Sequence, residues 1–496
     1  ADFGVAPGNY RVYATRGIEY GLGSTRIKIE AGEHAKRTMD LRREVDTRGW
    51  IACDTHIHTL THSGHGDATI GERMATLVGE GIELPIATEH NKHVDYAEDA
   101  SRLAVASGFT PLIGNEVTTP NGHFNIFPVE AGADIPHHQQ TDWGRLFDDI
   151  FAVPRVRVAI LNHGRDLHGG FRPLSPRHHI SIAGERLDSR PLRFNAMELL
   201  NSGAIQTDPM QLFKDWCGLL NRGLSVTPVG SSDSHDVTRF IVGQGRTYIR
   251  CNDDDVANLD IEAAMDAFVQ GRVLVSYGLL ATLSVNEQFG PGETVLLEDD
   301  TDSILVTASL RAPSWAQPES IALYVNGRPQ RSAQVSTGGK TQSLVDETYR
   351  WRIPLSQFAG DAWICVVAKG AGIEEPYWPT AKPYQPDSID FAPYTFACSG
   401  PIRVDVDRDG QVSSAHQYAR HIVDRFSGDL AGVMNALEPL DRAVAIQAVS
   451  ILASGQMAPA EVARAVDASS DKVRGAFADY QLARRQSMIV QLEQNE

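Results

Sequence analysis

Residues 49–278 predict an α/β unit, either a (β/α) barrel or a doubly wound sheet. Three observations carry this reading. Short apolar runs of strand length recur between Trp50 and Tyr277, helical stretches lie between several of them, and metal-ligating side chains follow nearly every run.

Before this unit, residues 1–48 read as a β-strand segment. Tyr10–Ala14 and Thr25–Ile29 alternate with period two, like the closing strands of a small β-domain whose beginning lies outside this chain. Within the unit, Trp50–Cys53, Leu84–Ala87, Pro111–Ile113, Val156–Leu161, Ala196–Leu200 and Ser225–Val229 read as parallel strands, which are apolar throughout because both faces are covered. The clearest helix starts at Thr69, where Glu72 completes a capping box. Ile70, Met74, Leu77 and Val78 form its apolar face, and Gly79 and Gly81 end it. Residues 279–404 lose the helices. Ser303–Leu310, Ile321–Val325 and Ala362–Ala368, with turns at Asn326-Gly327 and Gly338-Gly339, predict a β-sandwich. Residues 405–496 read as a helical segment broken at Ser427-Gly428, Gly455 and Pro459, a candidate surface for homo-oligomer formation.

The composition, 42% hydrophobic, supplies a large core, and a net charge of −18 excludes general binding to nucleic acid or anionic membranes. No apolar run reaches the roughly 20 residues a membrane span requires. Cys53, Cys217, Cys251, Cys365 and Cys398 are scattered without a Cys-x-x-Cys pair, against a thiolate zinc site or a disulfide scaffold. The first residue is Ala1, and that start leans towards a periplasmic or secreted protein without fixing the compartment.

The histidines point to chemistry. Of 17, 14 fall between His56 and His235, the span of the strand–helix unit. Asp54, His56 and His58 follow the first strand, and an extended backbone aims both imidazoles the same way. His62, His65 and Asp67 occupy a glycine-rich loop. Glu89 and His90, Glu116, His123, His163 and Arg165, Glu198 and Asn201, and Asp233 and His235 follow in turn, most of them at strand ends. Strand ends need no imidazoles for stability, and burying such groups costs several kcal/mol unless they are paired or metal-bound. Histidine and carboxylate donors without cysteine suit Zn²⁺, Mn²⁺ or Fe. Metal-activated water then replaces a side-chain nucleophile. Accordingly there is no Gly-x-Ser-x-Gly elbow, no Walker-type loop and no dinucleotide fingerprint.

Asp54–His58, Thr88–Asn91, Gly114–Glu116, His163 and Ser232–His235 together resemble the PHP (polymerase and histidinol phosphatase) metallohydrolase family over roughly residues 50–240. Ser63–Asp67, Gly122–Asn125 and Tyr324–Gly327 are similar to its carbaryl-hydrolase branch. The resemblance implies a distorted (β/α)₇ TIM-like barrel holding two or three divalent ions. By family pattern His56, His58, Glu116 and Asp233 hold one ion. Glu116 bridges to a second, held by His123 and His163, and His65, His90 and His235 hold a third. Three features depart from the pattern: Glu89 stands where an Asp is usual, the interval from His58 to His65 is long, and Asn162-His163-Gly164 replaces a His-Pro pair.

Arg165 and His235 are the candidate catalytic side chains. Arg165 suits an anion or a carbonyl, or else a salt bridge to Asp166 or another acid. Asp54, Asp67, Glu198 and Asn201 are candidates to support the ligands from behind. His93 and His168 read as exposed, and His137, His138, His178 and His179 as solvated loop residues. Asp405–Gly410 opens like a calcium loop, but its twelfth position is His416 instead of Glu, so it reads as a turn. The expected function is metal-dependent hydrolysis of a small-molecule ester, either a carbamate or carboxyl ester or a phosphoester. The alternative is a non-catalytic binding module on a degenerate barrel.

Overall fold

The computed structural model describes residues 4–336, 344–455 and 458–493, and the Gly338-Gly339 turn lies outside them. The N-terminal segment is a two-stranded antiparallel hairpin, β1 (Gly8–Ala14) and β2 (Gly23–Ile29). The chain that follows is tied to the main body through buried Glu19, which accepts from Tyr248 Oη at 3.1 Å and from Arg43 Nη2 at 2.7 Å.

The expected strand–helix alternation is present, arranged as a mixed α/β structure of two open sheets. In the first sheet β3 (Trp50–Ile57), β4 (Leu84–Ala87) and β5 (Leu112–Ile113) run parallel, joined by α1 (Leu60–Ser63), α2 (Ile70–Glu80) and α3 (Ala97–Arg102). The Thr69–Glu72 capping box forms as expected, and Gly81 closes α2 in the left-handed conformation. The second sheet begins with an antiparallel meander, β6 (Asn115–Thr119), β7 (Gly122–Phe127) and β8 (Val158–Leu161), with α4 (Trp143–Ala152) before β8. A small hairpin of β9 (His179–Ile180) and β10 (Glu185–Arg186) follows. Then β11 (Ala196–Asn201) and β12 (Thr227–Ser231) join β8 in parallel, with α5 (Gln211–Asn221) between them. Finally β13 (Gly245–Arg250) pairs antiparallel with β3, and β14 (Val273–Tyr277), after α6 (Ile261–Val269), pairs antiparallel with β13.

No closed barrel forms among the described residues, and this corrects the all-parallel expectation. The antiparallel β6–β7–β8 meander and the antiparallel β13 break the parallel series that a closed (β/α) barrel requires. The strands β6 and β7 escaped the apolar-run reading because Glu116, Thr118, His123 and Asn125 interrupt them. The two sheets instead meet at two single-residue bridges, Ile57 with Ser234 and His90 with Glu116. Both bridges lie at strand ends, so the metal-ligating residues converge there. Arg73 of α2, fully buried, reinforces one of these junctions by donating to His58 O at 3.0 Å and Ser234 O at 2.9 Å.

The first sheet does not stop at β14. It continues through Tyr394–Ser399 and Ala362–Ala371 of the β-sandwich, so the two units share one sheet. A three-stranded sheet packs on this extension, with Ile304, Val306, Ala308 and Leu310 pointing inward in strict alternation. The C-terminal helices, from Ala415–Arg425 to Asp471–Glu493, cluster around the β9–β10 hairpin through Ile180 and Ala183. Ser450 Oγ and Tyr480 Oη each donate to Glu185 at 2.7 Å, which anchors the helices to this hairpin. No described helix is long and apolar enough to cross a membrane.

Burial, with Glu19 and Asp253 nearby, pushes the Glu83 carboxyl up to about 7 from 4.5, despite the hydrogen bond it accepts from Ala52 N–H. The folded chain therefore holds this proton to higher pH than the unfolded chain, and stability falls as pH rises across that interval. Glu83→Gln keeps the Ala52 acceptor and removes the charge. Its Tm should match the parent near pH 4 and exceed it at pH 8, as read by thermal melts. A Tm difference that does not change with pH would contradict this assignment.

Candidate metal centre

Glu116, at the start of β6, has a carboxylate 1% exposed at the centre of a ring of imidazoles. Its Oε1 lies 3.0 Å from His123 Nδ1, 3.4 Å from His56 Nε2 and 3.5 Å from His163 Nε2. Its Oε2 lies 2.5 Å from His90 Nδ1 and 3.7 Å from His58 Nε2. Asp233 Oδ1 approaches the same ring from the end of β12, 3.2 Å from His56 Nε2 and 3.4 Å from His58 Nε2. His235 stacks on His58, with ring centroids 4.1 Å apart, and His65 Nε2 lies 3.4 Å from His90 Nε2. All nine expected ligands thus come together, although they arrive from both sheets.

Local sequence explains how each arrives. On β3 the alternation turns His56 and His58 to one side, their rings 5.0 Å apart. Gly66, at φ +82°, lets the loop carrying His65 pass against His235, where a Cβ would fall 2.3 Å from the His235 carbonyl oxygen. His163 and Asp233 hold left-handed backbones, at φ +28° and +51°. Non-glycine residues adopt that region at a cost of roughly 1–3 kcal/mol, which the surroundings must offset.

The supporting residues are also in place. Glu198 Oε1 lies 2.7 Å from His56 Nδ1, while its Oε2 accepts from His163 N at 2.5 Å and Asn201 Nδ2 at 3.0 Å. Asn201 also reaches Asp233 at 3.3 Å. Asp54 accepts from His56 N and Ser232 N at 3.1 Å each and from Gly243 N at 2.7 Å, joining β3 to the segment that presents Asp233. Asp67 acts at longer range by accepting from Val237 N at 2.7 Å. Glu89 points away from the cluster. It accepts from Thr59, Ser63 and Tyr96, so it braces the loop after β3.

The electrostatics suit cation binding. Burial alone would raise Glu116, but His90, His123 and His56 outweigh it and hold its carboxyl well below the usual range. Asp233 is likewise lowered, with His56, His58 and His235 overcoming burial. Burial, followed by His235, pushes His58 well below its ordinary value. His56 Nε2 and His58 Nε2 are enclosed without a hydrogen-bond partner. A buried imidazole nitrogen that faces carboxylates without a hydrogen-bond partner is a donor that could serve a cation. Several of these groups have donor atoms close enough to share an ion: His56, His58 and Glu116; His56, His163 and Asp233; and His58, His90 and His235.

Two placements differ from the sequence reading. Arg165 does not line the cleft above the cluster. Its guanidinium pairs in a fork with buried Asp215, at 2.7 and 2.6 Å, so the salt-bridge reading holds, with Asp215 as the partner instead of Asp166. His179 is buried beside the same pair, its Nε2 3.8 Å from Asp215, and is not a solvated loop residue. A further correction is His168, which the sequence reading took as exposed and which lies half-buried against His123 and His163. Burial and these two histidines push it down to about 3. A histidine five residues past His163 in a glycine-bearing loop was its only signal. Tyr384, from the β-sandwich, lines the cleft and had no signal at all. The Asp405–Gly410 turn does bring Asp405 and Asp407 to Asp361, but backbone N–H groups already occupy these carboxylates.

No family model matches the chain, and no curated protein matches it. The donor set alone therefore defines the site. It is a buried histidine–carboxylate cluster that could hold metal.

Two substitutions separate its parts. Glu198→Gln should weaken metal binding about 10–100-fold, measured by chelator competition, because it loosens His56 and His163 together. Arg165→Ala should leave the metal content unchanged and lower stability by about 3–5 kcal/mol in chemical denaturation, since it strands a buried Asp215 charge. Loss of metal in Arg165→Ala with stability intact would return this arginine to the site.

Proposed function

We propose that the chain is a metal-dependent hydrolase of PHP type, with a distorted barrel-like arrangement of its two sheets, that cleaves a small-molecule ester. The observation that carries this is the convergence of nine histidine and carboxylate side chains, seven of which line a cleft of about 700 Å³ while His56 and His58 lie buried beneath them. That volume lies within the range of small-molecule sites. When bound, divalent ions acidify water and offset the negative charge that develops on the attacked centre.

The chain's own residues set the geometry for that chemistry. Glu116 and Asp233 keep two negative charges between the histidines, Glu198 fixes the ring of His56, and Asn201 steadies Asp233. His235, on the cleft wall, would join His58 and His90 in holding an ion, with its Nδ1 steadied 3.1 Å from the Asp233 carbonyl. Thr118, Phe240 and Tyr384 line the same cleft and would contact the substrate. Arg239, stacked 4.8 Å over Phe240, adds a cation at the wall in place of Arg165. The electrophile is phosphorus in a phosphoester or carbon in a carbamate or carboxyl ester, and the resemblance to carbaryl hydrolases favours trying the carbamate first.

The test is a metal count by mass spectrometry on protein purified without added metal, followed by assay on p-nitrophenyl phosphate, bis(p-nitrophenyl) phosphate and 1-naphthyl N-methylcarbamate. At least two zinc, manganese or iron ions per chain are expected, with turnover of one substrate that chelation abolishes and metal restores. Asp233→Asn should lower that turnover at least about 100-fold. Less than one ion per chain, or turnover indifferent to chelation, would reject the proposal.

A further inference from the structure

We infer that His168 is an additional ligand at the His123–His163 end of the cluster, and that the β-sandwich holds it there through Gln385. This rests on the metal-binding reading above. It extends that reading to a residue outside the nine expected ligands and to a unit outside the strand–helix region.

The His168 ring centroid lies 4.6 Å from that of His123 and 4.2 Å from that of His163, and one donor atom from each of the three falls within 4.8 Å of the others. His168 Nε2 is enclosed and has no hydrogen-bond partner, the same condition as His56 Nε2 and His58 Nε2. A solvated surface histidine would not leave that nitrogen enclosed and unpaired. His123, His163 and His168 thus form a set of three imidazoles, with Glu116 Oε1 beside the first two. Three imidazoles would be the protein share of a four-coordinate ion such as Zn²⁺, with one position left for another ligand.

The loop is fixed from two directions. His168 and Phe171 exchange backbone hydrogen bonds at 2.9 Å in each direction, closing a tight turn over Gly169 and Gly170. On its other side, Gln385 clamps the neighbouring residue: its Oε1 accepts from Leu167 N at 2.7 Å and its Nε2 donates to Leu167 O at 3.1 Å. A side-chain amide that mimics a strand partner in this way fixes the backbone one residue from His168. Gln385 belongs to the connection between strands Ala362–Ala371 and Tyr394–Ser399, beside Tyr384 of the cleft wall. The β-sandwich thereby reaches into the site through the loop carrying His168.

The experiment compares full-length parent, His168→Asn, His168→Gly and Gln385→Ala. Metal content and chelator-competition profiles are measured alongside visible spectra of the Co²⁺-loaded proteins, with circular dichroism as the check on folding. In the parent, one ion should resist chelation and give the intense visible bands of a four-coordinate site. His168→Asn should release that ion at about 10-fold lower chelator concentration or more and weaken those bands. Added imidazole should restore them in His168→Gly, which a packing role for His168 would not produce. Gln385→Ala should shift chelation in the same direction by a smaller factor with the fold intact. If the parent binds its ions and both His168 variants match it in chelation and spectrum, this inference fails and the metal-binding reading stands. If the parent binds no metal, both fall.

Discussion

The buried carboxylate of Glu116 is the constraint on which this structure turns. It lies where the two sheets meet, on the strand that bridges to His90, and five imidazoles converge on its two oxygens. Such a charge is tolerable in a protein interior only with opposite charge and hydrogen bonds around it. Thr118 Oγ1 and Asn162 Nδ2 supply hydrogen bonds at 3.2 Å, while the surrounding histidines supply the opposing charge. The same requirement explains why strands of both sheets end in polar residues at this junction.

Around this centre the supporting network does two jobs. Asp54, Glu198 and Arg73 tie backbone to backbone across elements far apart in sequence, and Glu198 and Asn201 also orient ligand side chains. The left-handed backbones at His163 and Asp233 are held by this network: Glu198 accepts from His163 N–H, and Asn201 bonds to the Asp233 carboxylate. Strain at two ligand positions, held by buried hydrogen bonds, is the expected signature of a pre-organised site.

The flanking regions are built into the architecture around this centre. The β-sandwich continues the first sheet and contributes Tyr384 and Gln385 to the cleft and its loop. The C-terminal helices fasten the β9–β10 hairpin, which carries His179 beside the Arg165–Asp215 pair. Changes in either region can therefore reach the site mechanically through covalent and hydrogen-bonded connections.

Much of this was legible in the sequence alone. Period, capping signals and apolar runs marked β3, β4, α2 and the strand–helix alternation, because those patterns follow from burial of one strand or one helix face. The clustering of histidines and acids was legible because such residues recur at successive strand ends. The open, partly antiparallel arrangement of the sheets, the partner of Arg165 and the presence of His168 and Tyr384 in the cleft were not. Each depends on residues brought together over long sequence separations, such as Arg165 with Asp215 or Leu167 with Gln385. The sequence determined the cluster of histidine and carboxylate side chains that this protein assembles. Only the tertiary structure decided which of them face one another, because pairing across sheets is set by packing and register that no local pattern encodes.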